Sequence, residues 1–272
     1  MGLGADPTDE RQLNFVYEKC LKVVPTMAAI IGSPGTWYRD PVSGIAWEHM
    51  LHSEQDLQLF ASLPTAGTLI GRNRVHALHD RGTGKGALMG IERDIVDREG
   101  CILARARRID VLRVDGGFAA TDTQNDPRPE RLPELPEDMG PAAAAVDLDL
   151  LPQAALIYRL SSDRNPLHVD PAVARRAGFE RPVMHGLGTF GLAACAVLRV
   201  CCGWDPVRLR RLAVRFSSPA FPGDTLRVSF WPTGPGRFAM RAEAINRSAR
   251  ILDNGIVEVA SPSTATPPLR SV

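Results

Sequence analysis

A carboxylate, an amide and an imidazole lie close together in the second half of the chain, in the stretch Asp-Arg-Asn-Pro-Leu-His. Pro166 removes a backbone donor and biases the preceding residue, Asn165, away from helical geometry, so the stretch is predicted to be irregular. Side chains on an irregular segment can face a substrate, and functional residues concentrate on loops held by a rigid scaffold. Asp163, Asn165 and His168 are therefore candidates for acid–base chemistry.

The residues that follow predict two helices that would position these side chains. Asp170 and Pro171 are typical of an N-cap followed by proline at the first helical position, and this short helix would end at Ala177. The small and apolar run 187–200 predicts a longer, buried helix. Gly186 would lie at its N-terminus, where free backbone N–H groups and the positive end of the helix dipole stabilise an anionic oxygen.

An Asp and a His five residues apart, facing a helix N-terminus, supply proton transfer and oxyanion stabilisation. These are the requirements of a reaction that forms an enolate on a thioester. Taken singly, Asp163 is as easily a turn former, and His168 is as easily a structural histidine with satisfied hydrogen bonds. The joint arrangement, more than either residue, predicts an active site.

The stretch from Tyr158 to Gly191 resembles the signature of the MaoC-like, R-specific enoyl-CoA hydratases, the type 2 hydratases. The matching elements are Tyr-Arg-Leu-Ser-x-Asp-x-Asn-Pro-Leu-His, Asp-Pro, Gly-Phe-x-x-Pro and His-Gly-Leu-x-Thr-x-Gly. The resemblance implies reversible hydration of a trans-2-enoyl-CoA to a (3R)-hydroxyacyl-CoA, in fatty-acyl metabolism of the β-oxidation type. It implies an acyl-CoA substrate, and neither a metal nor another cofactor.

The resemblance also implies a role for each residue of the motif. Asp163 and His168 would form the catalytic pair, and Asn165 would orient the pair or its water. The backbone N–H of Gly186 would be the oxyanion donor. His185, just before the helix, would have a structural role or line the substrate tunnel.

Two further sets of residues are candidates for binding the substrate. Residues 51–55, Leu-His-Ser-Glu-Gln, resemble the family's Leu-His-Gly-Glu-Gln stretch, so His52 and Gln55 would border the acyl or pantetheine channel. A polar loop leading into a strand explains them equally well. Arg211 and Arg215 form a basic stripe on a predicted strand and are candidate cations for the phosphates of coenzyme A, although a solvated face also explains such a stripe.

Composition places the chain among ordinary globular proteins. Apolar residues make up 44% and charged residues 23%, with a formal net charge of +1, which gives no case for nucleic acid or a membrane surface as partner. No run approaches the roughly 18–20 apolar residues of a membrane span, and the N-terminus lacks the pattern of a signal or transit peptide. The five cysteines lack metal-type spacing and are expected to be reduced. We therefore expect a soluble, cytoplasmic protein.

The resemblance and the length together imply an α+β fold of two hot-dog units, each a central helix wrapped by an antiparallel sheet. Residues 121–142, rich in Pro, Asp and Glu, predict a linker with polyproline character. It would separate an N-terminal unit, 1–120, without the catalytic motif from a C-terminal unit, 143–272, that carries it. A helix is predicted over 8–24. The predicted strands are 55–63, 68–78, 86–97, 101–115, 144–150, 154–160, 208–216, 225–232, 237–246 and 251–259.

Two other functions stay open. A hot-dog thioesterase would use the same scaffold and a carboxylate-activated water that attacks the carbonyl carbon, and a non-catalytic acyl-CoA-binding subunit would have lost the chemistry. The intact Asp-x-Asn-Pro-Leu-His motif argues against both. Either would be favoured by a structure in which Asp163 and His168 do not face a common cavity. For the assembly, the family implies a homodimer.

Overall fold

The strands of the chain join into one antiparallel sheet in the computed structural model, which describes residue 3 and residues 6–119, 127–161 and 163–260. They are β1 (Met50–Leu59), β2 (Ile70–Asp80), β3 (Ala87–Val96), β4 (Ile102–Leu112), β5 (Ala144–Asp149), β6 (Leu209–Phe216), β7 (Thr225–Gly234), β8 (Arg237–Ala244) and β9 (Ala249–Val259). Their order is β2-β3-β4-β1-β6-β9-β8-β7-β5, and β1 pairs with β6 where the two halves of the chain meet. Nine of the ten predicted strands are confirmed, with ends shifted by a few residues. The strand predicted over 154–160 is wrong, because these residues form the short helix Ala154–Tyr158, with Ala154 and Ala155 buried.

One long helix packs on the second half of this sheet. The α-helices of the described chain are α1 (Glu10–Leu13), α2 (Ala154–Tyr158), α3 (Pro171–Arg176) and α4 (Gly186–Val200). Phe190 and Leu198 of α4 share a core cluster with Leu212 and Phe230 of the sheet, and burial of each such side chain stabilises the fold by about 1.5–3 kcal/mol. We call the sheet face that carries α4 the inner face. None of the described helices has the length and hydrophobicity that a membrane crossing requires.

The long helix predicted near the N-terminus is wrong, because α1 is a single turn. Asp9 caps α1 as predicted. The apolar residues expected to continue its buried face, Val16 and Tyr17, are 57% and 49% exposed. Phe15 is buried instead, with its ring 6.4 Å from that of Trp204. Helical spacing alone did not produce a helix here, because a helix in water depends on packing of its apolar face.

Short turns take the place of a central helix in the first half. Among its described residues, no α-helix is longer than α1, and a 3-10 helix, Pro25–Ala29, contacts β1, β4 and α4. Trp37, Ile45 and Met50 pack against a small apolar cluster on the inner face of β3 and β4. We call residues 37–50 the covering segment. It includes three 3-10 turns of three residues each.

The predicted linker is bonded along the outer face of the sheet. Glu54, which points to that face from β1, accepts the Nε–H of Arg131 at 3.0 Å and the backbone N–H of Leu132 at 2.9 Å. Residues 127–142 contain no helix or strand, as expected of a linker, and residues 120–126 lie outside the described part of the chain. The division into two domains here stays a prediction, and the visible connection is fixed to the sheet.

Candidate active site

Asp163, Asn165 and His168 lie on an irregular segment, as predicted. The carboxylate Oδ1 of Asp163 accepts the backbone N–H of Asn165 at 2.9 Å. The side-chain oxygen of Asn165 caps the 3-10 helix Pro166–His168 by accepting the backbone N–H of Leu167 at 3.1 Å. Asp163 is exposed, whereas His168 is buried. Asn165 therefore shapes the turn that carries the other two side chains.

His168 is held as a neutral imidazole with one free lone pair. Its Nδ1 lies 2.9 Å from the backbone carbonyl oxygen of Val183. Because a carbonyl oxygen only accepts, Nδ1 carries the proton and Nε2 carries the lone pair. Burial lowers the pKa of His168 below its usual value, and this outweighs the opposing effects of the Val183 bond and of Asp163. The neutral, proton-accepting form is therefore favoured at neutral pH.

His185 connects Asp163 to His168. Its ring stacks on that of His168 with the centroids 3.7 Å apart, and its Nε2–H donates to the backbone carbonyl of Asp163 at 3.1 Å. Burial, and then the neighbouring His168, lower the pKa of His185 to about 4, so this imidazole is neutral as well. His185 thus holds the backbone of Asp163 against the start of α4.

These side chains converge at the N-terminus of α4. One ligand atom each of Asp163, His168 and His185 lies within 4.8 Å of the others. The helix begins at Gly186, directly after His185, so its first-turn N–H groups have no partner within the helix. Groups at this spacing can hold one water beside a site for an anionic oxygen, and they could equally hold a metal ion. The structure thus brings together the residues of the predicted motif.

His52 lies beside this group, whereas Gln55 has a different position. The ring of His52 lies 4.9 Å from that of Phe216, and the Phe216 ring lies 3.4 Å from where a Cβ on Gly186 would be. Burial, and then Arg108, lower the pKa of His52 to about 3. The buried Gln55 donates its side-chain N–H to a backbone carbonyl of β4 at 3.1 Å. Of the two, only His52 comes near the end of α4 through its side chain.

Arg211 and Arg215 lie on the outer face of the sheet, away from α4. Arg211 forms an ion pair with Asp56 at 2.8 Å, and Arg215 forms one with Glu54 at 2.9 Å. Each pair joins neighbouring strands, β6 and β1. The carboxylates therefore neutralise both guanidinium groups. The structure does not bring these arginines to the predicted catalytic residues.

Sequence reasoning missed three polar side chains at the inner face of the first half, Tyr38, Arg108 and Asp110. Together with His52, which was predicted, we call them the polar cluster. Asp110 is fully buried, and its Oδ2 accepts the Nε–H of Arg108 at 2.9 Å and an Nη2–H at 2.5 Å. Burial raises the pKa of Tyr38, the charge of Arg108 opposes this rise, and the charges of Asp163 and Asp110 add to it. Tyr38 therefore lies within electrostatic range of both the polar cluster and the catalytic motif. The sequence did contain a signal for this pair. Arg108 and Asp110 occupy alternate positions of a predicted strand, on the face where the preceding residues, Ala104 and Ala106, are apolar.

The sequence matches two family models, which together cover most of the chain. Residues 1–108 match the model described as MFE-2 hydratase 2 N-terminal domain, and residues 136–250 match the MaoC like domain. The chain is 36% identical to 3-hydroxyacyl-thioester dehydratase Y of Mycobacterium tuberculosis, over 95% of this chain and 89% of that protein. It is 34% identical to the peroxisomal enoyl-CoA hydratase 2 of Arabidopsis thaliana, over 86% of this chain and 79% of that protein.

Solved structures have the same fold. The crystal structure of a MaoC-like dehydratase from Phytophthora capsici has a TM-score of 0.80 at 28% identity, and covers 92% of this chain and 88% of that one. A Mycobacterium tuberculosis protein described as a double hot-dog fold has a TM-score of 0.50 at 20% identity, and covers 87% and 86%. The predicted α+β fold of two hot-dog units is therefore confirmed.

Proposed function

Because the chain belongs to the family of MaoC-like dehydratases and type 2 hydratases, we propose that it adds water reversibly to trans-2-enoyl-CoA thioesters. The product is a (3R)-hydroxyacyl-CoA, and the metabolism is of the β-oxidation type. The chain is a hydro-lyase, like its relatives. The observation that supports this reaction is the convergence of Asp163, the unprotonated Nε2 of His168 and the N-terminus of α4.

In the proposed reaction, His168 is the general base. Its Nε2 takes a proton from a water held between it and the carboxylate of Asp163, while the water oxygen forms a bond to C3 of the substrate. The C2–C3 double bond shifts its electrons toward the thioester, which becomes an enolate. Asp163 accepts the other O–H of the water and stabilises the imidazolium. General acid–base catalysis of this kind contributes typically about 10²–10⁴-fold.

The negative charge of the enolate develops on the thioester oxygen. In the proposal this oxygen accepts the N–H of Gly186, where the dipole of the 15-residue helix α4 adds to the stabilisation. Removal of one such donor costs about 10²–10³-fold in other enzymes. The imidazolium of His168 then returns its proton to C2, so one water is added in all and the base is regenerated.

Three further residues position this pair. Asn165 caps the turn that carries it, and His185 fixes the backbone of Asp163 and the plane of His168. His52 borders the end of α4 through Phe216. Arg211, Arg215 and Gln55 do not enter the proposed site, because carboxylates or a backbone carbonyl already satisfy them.

We also propose an assembly and a cellular location for the chain. The family implies a homodimer, which sedimentation at several concentrations tests directly, and a chain that sediments as a monomer throughout would contradict it. The proposed location is cytoplasmic, and several relatives are named as peroxisomal. Microscopy of the tagged full chain in its own cell decides between the two compartments.

The test of the reaction is the absorbance of the conjugated enoyl group. Purified protein should bleach this band with crotonyl-CoA and with trans-2-decenoyl-CoA, without release of free thiol, and chiral analysis should find the 3R product. Asp163→Asn and His168→Gln should each abolish the bleaching. Asp170→Asn, which keeps the cap of α3 outside the proposed site, is the matched control and should keep it.

Three other outcomes would contradict the proposal in different ways. Thiol release without loss of the enoyl group would favour the thioesterase, the alternative that shares this scaffold. Full activity in both active-site variants would refute the roles of Asp163 and His168 but would still identify the chain as a hydratase. No change in any substrate would refute the hydratase and favour a binding subunit.

A further inference from the structure

The inner face of β4 changes character near the active site. Ala104 and Ala106 point inward and belong to the main apolar core. The next two inward positions of this strand are Arg108 and Asp110, because side chains alternate between faces along a regular strand. Asp110 is 0% exposed. An ion pair therefore follows directly on the apolar part of this strand.

This ion pair leaves one strong acceptor unused. Arg108 directs both of its bonds to Oδ2 of Asp110, and Oδ1 has no hydrogen-bond partner in the described part of the chain. Burial raises the pKa of Asp110 against the opposing effect of Arg108. A buried acceptor without a donor costs about 1–3 kcal/mol, and more when it is charged. Such atoms are uncommon in native proteins and require an explanation.

The unused oxygen lies next to the proposed site of reaction. Asp110 is directly across from His52 in the register of β4 and β1. The ring of His52 lies 4.9 Å from Phe216, which in turn borders Gly186. Two aromatic rings thus separate the proposed oxyanion donor from Asp110.

The covering segment packs beside this wall, on the same inner face. Its Trp37, Ile45 and Met50 contact the apolar cluster of β3 and β4. The first half has short turns where the second half has α4, and the turns Trp37–Arg39 and Pro41–Ser43 each contain three residues. Val42, in the middle of the segment, is 94% exposed. An acyl chain that extends from the end of α4 toward the first half would therefore run toward the polar cluster.

The chemistry of the pair selects its ligand. A free carboxylate on the acyl chain would be repelled by Asp110, and a ketone has no hydrogen to donate. An ammonium group would meet the positive charge of Arg108. A hydroxyl group is neutral and donates one hydrogen bond, which is what the free oxygen lacks.

We propose that the polar cluster binds a hydroxyl group on the acyl part of the substrate, with the hydroxyl donating to Oδ1 of Asp110. The proposal rests on the hydratase function and names its substrate class: 2-enoyl thioesters whose acyl part carries an alcohol. Tyr38 and His52 complete the wall around that group. Unsubstituted enoyl thioesters are then turned over less efficiently, because they leave the buried carboxylate unpaired.

The test compares trans-2-decenoyl-CoA with analogues that each carry one hydroxyl on a different carbon of the distal half. Wild-type protein should show a kcat/KM roughly 10- to 100-fold higher for at least one analogue than for the parent, which corresponds to one hydrogen bond to a charged group. Replacing the pair by apolar residues of similar size, Arg108→Met with Asp110→Leu, should remove this preference. The parent compound should then be turned over as well as the analogue.

The control replaces an ion pair of the same two strands on the outer face. Arg105 and Asp94 lie 2.6 Å apart there, and Arg105→Met with Asp94→Leu should keep the wild-type preference. If the wild type hydrates the parent and every analogue with equal kcat/KM, the hydroxyl site is overturned, whereas the hydratase function remains supported. Absence of hydration in all compounds would instead overturn the hydratase, and the hydroxyl site with it. The wild-type comparison decides the question even if the apolar variant fails to fold.

Discussion

Replacing His52 by glutamine is expected to make the protein less sensitive to acid. In the folded chain, burial and Arg108 hold the pKa of His52 at about 3, against 6.5 for the free side chain. Between these two values the unfolded chain binds a proton that the folded chain does not. The stability that His52 contributes is therefore fully present above pH 6.5 and is lost as the pH falls toward 3. Glutamine keeps a donor at this position and does not titrate.

The magnitude follows from the size of the shift. Within this pH window, one such histidine removes about 1.4 kcal/mol of unfolding free energy for each pH unit. From pH 6.5 to about pH 5 the loss is about 2 kcal/mol, a large part of the roughly 5–15 kcal/mol that stabilises a typical domain. The substitution also removes packing against Phe216. The informative quantity is therefore the slope of stability with pH, and not its absolute value.

The assay is urea unfolding followed by circular dichroism at several pH values between neutral and about pH 5. Near pH 5, where the unfolded histidine is almost fully protonated, the slope for His52→Gln should be shallower than that of the wild type by about 1.4 kcal/mol per pH unit, and the difference should shrink toward neutral pH. His49→Gln, which removes an exposed imidazole three residues away, is the control and should keep the wild-type slope. A His52→Gln slope equal to that of the wild type would refute the conclusion that His52 is buried in its neutral form.

Two further predictions concern the outer face and the site. Glu54→Gln should lower the unfolding free energy by about 3–5 kcal/mol, because the Leu132 N–H and Arg215 lose a buried carboxylate. The control Asp147→Asn removes a carboxylate from an exposed ion pair and should cost less than about 1 kcal/mol. Equal losses in the two variants would contradict the conclusion that burial makes the Glu54 interactions strong. EDTA should leave the hydration of crotonyl-CoA unchanged, because the proposed base is His168, while added Zn²⁺ should inhibit by binding the three clustered side chains within 4.8 Å. Loss of turnover on chelation would contradict the metal-independent step.

The sequence predicted those features that neighbouring residues dictate. Asp170 followed by Pro171 has the local chemistry of a helix start, and the structure has α3 there with Asp170 as its cap. The small apolar run that begins at Gly186 contains no proline, and α4 spans it from end to end. Pro166 made the catalytic segment irregular for a local reason of the same kind. Alternation and turn residues likewise predicted nine strands, whereas residues 154–160, also predicted as a strand, contain a helix.

Partners that are distant in sequence could not be predicted in this way. Arg215 looked like a free cation, but the carboxylate of Glu54 lies 161 residues away in the chain and only the β1–β6 pairing brings them together. The N-terminal helix failed for a related reason, since its spacing was suitable but the fold gives Val16 no apolar partner to cover it. Arg108 and Asp110 lie on one face of β4, yet the full burial of Asp110 depends on residues that pack on this strand from elsewhere in the chain.

The short turns of the first half explain why charged groups can line the proposed site at all. A long apolar helix such as α4, packed on β4, would bury Arg108 and Asp110 against hydrocarbon, and an incompletely bonded charge in such surroundings is strongly destabilising. With short turns in place of such a helix, Arg108 keeps part of its side chain exposed while it pairs with Asp110. The two proposals together assign the chemistry to the second half and the choice of substrate to the first half. Variants of Asp163 or His168 should therefore lower kcat for every substrate, whereas variants of Asp110 should change the ratio between substrates.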